Sequence, residues 1–202
     1  MVNVSFPDVH MLFYERLKAE VCLVAAKYRI YDQLYNGILS KAVVMKAAPS
    51  FFRIYQQQAA DDIILSINRI TDQPDFRSNS KECLSIIQLQ RKLPVDNYPA
   101  LYPKFETLIK RLVGLSCKLR KWRNRRISHS DVRILLGNES LPPLNVGNIE
   151  KCIDTLIMCM RHIDTVFQLG DSSYKDMYLR GDGSTIVKMI IDANEHTRSK
   201  KT

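Results

Sequence analysis

Two stretches of the chain carry apolar residues in alternating steps of four and three, and this spacing constrains the fold most strongly. The first stripe comprises Leu101, Phe105, Leu108, Leu112, Leu115, Leu119 and Trp122. The second comprises Ile149, Ile153, Leu156, Met160, Ile163 and Phe167. Residues at this spacing share one face of an α-helix, so each stripe predicts an amphipathic helix with one buried side. A seam of this kind is typical of helix bundles.

Proline, glycine and capping residues divide the rest of the chain into further predicted helices. They are expected at about 8–35, 38–48, 50–72 and 80–93, with Ser50 and Ser80 as N-caps of the last two, and at 184–196. No segment shows a convincing strand pattern. The sequence therefore predicts an all-α fold, an antiparallel bundle of about five to seven helices without significant sheet.

The chain length and its glycine breaks suggest how the bundle is divided. We expect residues 1–170 to form the helical bundle and residues 171–202 to add a C-terminal helical extension. The extension ends in the basic tail RSKKT, whose order the sequence leaves open.

The charge balance favours a negatively charged partner. Lys and Arg number 30 against 21 Asp and Glu, which gives a net charge of +9 on 202 residues. Such a surplus indicates nucleic acid or an anionic membrane surface as the partner class. A basic surface without a specific partner is the alternative.

Cysteine usage and hydropathy indicate the compartment. The cysteines are odd in number, and no pair has the two-residue gap of zinc sites. Free thiols in a reducing environment are the expectation. No apolar run approaches the ~20 residues that cross a bilayer, and the first residues lack the pattern of a signal peptide. We therefore expect a cytoplasmic protein that does not enter the membrane.

The stretch KLRKWRNRRISHSD, at 118–131, departs from the apolar pattern that precedes it. Six of its first nine residues are Lys or Arg, and the stripe of Leu119 and Trp122 continues at Arg126 and His129. A helix that leaves the core, with cations favoured by the dipole of its C-terminus, explains one or two of these charges. It does not explain six, because their mutual repulsion costs stability without an anion. Such a conflict between pattern and chemistry indicates a functional site.

Arginine and histidine together suit phosphodiester chemistry. The guanidinium group offers a planar fork of donors to phosphate oxygens. Histidine exchanges a proton near neutral pH and can act as a general base toward the 2′-hydroxyl of RNA. The oxyanion attacks the adjacent phosphorus, and arginine stabilises the charge on the phosphoryl oxygens. The sequence shows no carboxylate pair or histidine cluster with metal-site spacing, so we expect no metal and no other cofactor.

The motif at 123–129 resembles the Arg-polar-x4-His signature of HEPN-domain proteins. These are small helical bundles, many of them ribonucleases of toxin–antitoxin, abortive-infection and CRISPR systems. INRITD at 67–72 and the helices before the motif resemble the abortive-infection branch, over about residues 10–170. The resemblance implies that Arg123 and His129 are the catalytic pair of an endoribonuclease and that Asn124 orients them. It also implies RNA as substrate, an antitoxin protein as a partner, and a homodimer whose two motifs form one cleft.

The spacing within the motif poses a geometric problem. Arg123 and His129 are six residues apart, so on an ideal helix they differ by about 120° of rotation. Either the helix distorts, or the arginine of one chain serves the histidine of the other. Where some HEPN toxins carry a tyrosine that an antitoxin modifies, this chain has Asp131, which argues against that regulation.

The remaining cations of the stretch complete the predicted site. We expect a set of four to guide the RNA backbone: Lys118, Lys121, Arg125 and Arg126. Two other interpretations stay open, a non-catalytic module that binds RNA or a protein, and a protein that uses its basic tail at a membrane surface.

Overall fold

The computed structural model describes residues 5–73, 82–129, 131–144, 146–170, 172–177 and 179–200. Within these ranges the chain forms α-helices and no β-strand, which confirms the all-α prediction. The helices are α1 (Asp8–Tyr35), α2 (Ile38–Ala47), α3 (Pro49–Ile70), α4 (Ile86–Lys92), α5 (Lys104–Trp122), α6 (Val132–Leu135), α7 (Val146–Phe167) and α8 (Gly183–Ser199). A 3-10 turn, Pro99–Leu101, precedes α5, and a π-helical turn, Arg123–Ile127, follows it.

Several predicted boundaries are corrected by local capping. Helix α3 begins at Pro49, whose missing N–H suits the first helical position, so Ser50 is not its cap. Helix α4 is shorter than expected and is capped by Ser85, whose hydroxyl accepts a hydrogen bond from the Gln88 amide at 3.2 Å. The predicted cap Ser80 lies outside the described residues.

Helix α6 is an addition to the five to seven helices that the sequence predicts. It lies between the basic stretch and the second apolar stripe, where the sequence predicts no helix. Asp131 caps it by accepting a hydrogen bond from the Arg133 amide at 3.0 Å. Such a four-residue helix lacks the length for a periodic pattern and so escapes recognition from sequence.

The two apolar stripes form the centre of the core, as predicted. All six stripe residues of α7 are buried, and in the first stripe Leu115 and Trp122 are half-buried while the others are buried. Helices α5 and α7 pack side by side, with α1 and α3 against them. The stripes therefore fix which face of α5 points to the protein interior and which faces outward.

A buried carboxylate joins the beginning of the chain to the segment after α7. Asp164 is 6% exposed and accepts hydrogen bonds from the hydroxyl groups of Tyr14, in α1, and Tyr174, the latter at 2.7 Å. Both tyrosines are fully buried, and burial, reinforced by the nearby carboxylate, raises their pKa values. Asp164 thus stays paired with two neutral donors inside the core.

The C-terminal helix packs onto α1 and α2. Val187 and Ile190 lie against a second apolar cluster that includes Leu34 and Phe52. Gln33 donates a hydrogen bond to Asp182 at 2.8 Å, just before α8 begins. The predicted domain boundary near residue 170 stays a prediction, with α8 held by contacts to the first two helices.

We expect Asp164→Ala to lower the free energy of unfolding by about 3 kcal/mol, because two buried hydroxyl donors lose their acceptor. Urea denaturation followed by circular dichroism measures this change. Asp154→Ala on the same helix is the matched control: it removes only the exposed ion pair with Lys175, at a cost of about 0–1 kcal/mol. Equal losses in both variants would contradict the role of the buried carboxylate.

Candidate active site

The backbone changes its winding where the motif begins. Helix α5 ends at Trp122, and Arg123–Ile127 form a π-helical turn in which the Ser128 amide donates to the Arg123 carbonyl at 2.8 Å. Turns of this kind are rare and recur at functional sites. The helix is therefore distorted between Arg123 and His129, which was one of the two alternatives that their six-residue spacing left open.

Arg123 is fixed by two neighbours. Its Nη1 lies 2.7 and 2.9 Å from the two carboxylate oxygens of Asp72, and its Nε donates to Asn124 Oδ1 at 2.9 Å. Asp72 stands just after the end of α3, 51 residues earlier in the chain. Within the described residues no acceptor occupies Nη2, so two N–H donors of the guanidinium group are free for a ligand.

Sequence reasoning did not select Asp72 as a site residue. It ends the INRITD stretch, which carried the resemblance only as a segment. A lone aspartate near a proline carries no pattern that marks it, and its pairing with Arg123 arises from the packing of α3 beside the π-helical turn.

A second arginine holds the end of α3 in place. Arg120 donates from Nη2 to the Thr71 carbonyl at 3.2 Å and to the Ser116 hydroxyl at 3.3 Å. This contact satisfies one of the carbonyl groups that a helix C-terminus leaves open. Because Thr71 precedes Asp72, Arg120 also restricts the position of the carboxylate that holds Arg123.

His129 lies on an exposed bend after the π-helical turn. In the described part of the chain no hydrogen bond or ion pair joins its imidazole to Arg123 or Asn124. The structure therefore joins Arg123 to Asn124 by a direct hydrogen bond, whereas His129 forms no such bond with either of them within the described residues.

Arg125 ties down the segment that follows His129. Its Nε donates to Asp131 Oδ2 at 2.8 Å, and its Nη2 lies 2.6 Å from Glu139 Oε2. The Asp131 amide also donates to the Arg125 carbonyl at 3.1 Å. These contacts fix both ends of the short bend that carries His129, and they engage the guanidinium group of Arg125, whose side chain is 32% exposed, with two carboxylates of the same chain.

The same contacts shift the acidity of the two carboxyl groups. The hydrogen bond from Arg125 lowers the pKa of Asp131, and hydrogen bonds from Arg125 and then Arg133 lower the pKa of Glu139. Asp131, noted in the sequence only as a departure from the HEPN pattern, thus anchors the bend and caps α6.

The other three predicted RNA-binding cations face solvent. Lys118, Lys121 and Arg126 are exposed, and none has an acidic partner among the described residues. The guanidinium carbon of Arg126 lies 5.1 Å from the ring centre of Trp122, a cation–π contact. Trp122 itself packs against the core and donates to the Pro142 carbonyl at 2.9 Å.

The described residues contain neither a metal-ligand cluster nor a helix suited to a membrane. In the described ranges no group of three or more His, Cys, Asp and Glu side chains has positions that could hold a metal ion. No helix among the same residues is both long and apolar enough to span a membrane.

A protein-family model matches most of the chain. The family model HEPN_AbiU2, described as AbiU2, matches residues 9–183. The matched range contains Arg123, Asn124 and His129 as well as Asp72, and it extends past α7 to the first residue of α8. Neither the curated proteins nor the solved structures contain a match to this chain.

We expect Arg125→Gln to raise the pKa of both Asp131 and Glu139 toward the usual carboxylate range, because both lose their main donor. The wild-type ion pairs persist above that range and are lost as the pH falls through the lowered values. Carbon-13 NMR titration of the side-chain carboxyl groups measures both midpoints. Arg133→Gln is the control. It removes the side-chain hydrogen bond to Glu139 but keeps the backbone amide that donates to Asp131, so it should raise the pKa of Glu139 more than that of Asp131, which loses only the nearby charge. Unchanged midpoints in Arg125→Gln would contradict the described bend.

Proposed function

This chain belongs to the AbiU2 family of HEPN domains, a family associated with abortive infection, and from that premise we propose that it is a metal-independent endoribonuclease of a defence or toxin–antitoxin system. One observation carries the proposal. Arg123 is held by Asp72 and Asn124 at a break in helix α5, with free donors remaining, and an exposed His129 follows on an anchored bend.

The proposed chemistry assigns one role to each residue. His129 takes the proton of the RNA 2′-hydroxyl as general base. The 2′-oxygen attacks the adjacent phosphorus and the 5′-oxygen leaves with a proton, which gives a 2′,3′-cyclic phosphate and a free 5′-hydroxyl. Arg123 donates from Nη2 to the phosphoryl oxygens as negative charge gathers there, while Asn124 keeps its guanidinium plane in position.

Asp72 acts as a positioning residue in this proposal. Its two oxygens hold Nη1 of Arg123, and a guanidinium group fixed in this way loses less freedom when it binds phosphate. The ion pair is partly open to solvent, with side chains 24% and 34% exposed, so an approaching phosphodiester can reach the arginine.

The six-residue spacing of Arg123 and His129, without a hydrogen bond between them in the described chain, favours a composite site in a homodimer. No hydrogen bond links the two groups among the described residues of one chain, and we infer that a second copy supplies the partner of each. Three large apolar side chains next to the motif offer a surface for it. They are Val132, Leu135 and Leu136, at 63%, 68% and 69% exposure. A second copy would remove them from water and bring two motifs together.

A non-catalytic module that binds RNA or a protein is the second candidate. The observation that favours it is the Asp72–Arg123 ion pair, which already neutralises the central arginine in the isolated chain. In this alternative the exposed cations around the motif hold a ligand, His129 plays no chemical part, and a partner such as an antitoxin would bind the same surface.

We expect His129→Ala to lower RNA cleavage by about 10²-fold or more, the usual contribution of a general base. The assay incubates end-labelled RNA with purified protein in EDTA and resolves the products. His196→Ala removes another exposed histidine, on α8, and should cleave as the wild type does. RNA retention without cleavage by the wild type or either variant would contradict the nuclease proposal and favour the binding module.

We expect two inactive variants to restore activity when they are mixed, if the site is composite. A heterodimer of Arg123→Ala with His129→Ala has one site with both changes and one intact site. Subunit exchange at equal concentrations should recover about a quarter of the wild-type cleavage rate, since about half of the dimers are mixed.

The same mixing experiment can also contradict the composite site. A site formed within one chain leaves every site of the heterodimer defective, so activity would stay absent. Leu135→Glu should prevent both dimer formation, measured by light scattering, and recovery on mixing, because a charge enters the apolar contact.

A further inference from the structure

We propose that the outward face of α5 is an extended binding surface for the RNA backbone, separate from the residues that would cleave it. This inference rests on the proposed function, since it assigns RNA as the ligand. The surface, called here the α5 lane, consists of Lys104, Thr107, Arg111, Gly114, Lys118 and Lys121, all exposed.

The cations of the lane are aligned along the helix axis. Lys104, Arg111 and Lys118 are seven residues apart, so they recur almost in line, about 10.5 Å from one another. None of them has an acidic partner in the described part of the protein, and the single acidic residue of α5, Glu106, pairs with Lys110 at 2.8 Å. The lane is therefore a row of positive charges that the protein leaves unneutralised.

Helix stability does not account for these charges. Lys104 is the first residue of α5, where the helix dipole disfavours a cation. The side chains do not cover the core either, because the buried face of α5 lies on the opposite side. An external anion explains both the position and the number of the charges.

Gly114 gives the lane a second unusual feature. It lies in the middle of α5, where glycine is destabilising relative to alanine. A Cβ atom added there would meet nothing within 4 Å, so no neighbour within the described chain demands the missing side chain. A glycine at an open position allows close approach of a ligand to the helix backbone, here between Arg111 and Lys118.

Charge and hydropathy select RNA over other occupants. A second copy of α5 against the lane would bring like charges together. The exposed large apolar residues of the chain include none from α5, which argues against a protein interface or insertion into a lipid surface. A phosphodiester backbone satisfies the cations without needing apolar contacts.

The lane is continuous with the candidate site but extends well beyond it. Lys121 lies two residues before Arg123, whereas Arg111 lies twelve residues before it, about 18 Å along the axis of a helix. Nucleotides next to the scissile phosphate would contact Lys121 but would not reach Arg111. The lane therefore predicts that long RNA binds more tightly than short RNA.

The experiment compares two RNA lengths with 2′-O-methyl groups throughout, which prevent cleavage. Fluorescence anisotropy measures binding of oligonucleotides of about 16 and about four nucleotides as salt is varied. We expect Arg111→Gln to lower the affinity for the long RNA about five-fold at 0.1 M salt and its salt slope by about 0.7, with the short RNA unaffected. Arg53→Gln, which changes an exposed arginine of α3, is the matched control and should bind both RNAs normally.

Gly114 provides a test in which stability and binding move in opposite directions. Gly114→Ala and Gly114→Gln should raise the melting temperature, because both residues favour the helix more than glycine does. The same variants should bind the long RNA several-fold more weakly, with the larger side chain having the larger effect. Weaker binding in a more stable protein excludes unfolding as the cause.

The outcomes separate the lane from the proposed nuclease. If wild-type protein cleaves RNA but Arg111→Gln and Arg53→Gln bind the long RNA equally well, the lane is wrong and the nuclease proposal stands. If Gly114→Gln instead changes the oligomeric state seen by light scattering, the face belongs to a contact between copies and the lane is also wrong. If the wild type binds neither RNA, both proposals fail.

Discussion

The burial of the two apolar stripes against one another is the interaction on which the rest of the structure depends. Once the stripe of α5 lies against α7, the orientation of every other residue of α5 is set. Its outward face then displays lysine and arginine side chains without an acidic partner among the described residues, and its C-terminal end meets the end of α3. The contact between α5 and α7 thus contributes to the stability of the bundle and also determines where the charges of α5 lie.

The cations of the basic stretch fall into two groups with different physical roles. Arg120, Arg123 and Arg125 each find partners inside the chain, and they hold the end of α3, the motif and the following bend. Lys118 and Lys121 keep their charges toward solvent. The charge density of this region is reduced because carboxylates pair with Arg123 and Arg125, two of its six cations. The exposed Lys118, Lys121 and Arg126 stay available for an anionic ligand.

The sequence predicts those parts of the fold that depend on residues close together in the chain. The stripes, the bounds of α1 and the all-α class follow from periodicity and from turn residues, and the motif at 123–129 led to the family. The Asp72–Arg123 ion pair could not be predicted from the sequence, because tertiary packing brings together two residues that are 51 positions apart. The cap at Ser85 and the short helix α6 were missed because single hydrogen bonds decide them. The engagement of Arg125 was missed for the same reason, since a charge looks equally available in sequence whether or not a carboxylate faces it.

Trp122 is the single tryptophan of the chain, and its indole is half-buried between the core and the Arg126 guanidinium group. Its ring nitrogen donates to the Pro142 carbonyl, which ties the end of α5 to the segment leading into α7. An anion that draws Arg126 away removes a positive charge from the face of the ring. The tryptophan emission of the protein, from a ring one residue before the motif, would therefore change when an anion binds at Arg126 and would report occupancy there without an attached dye.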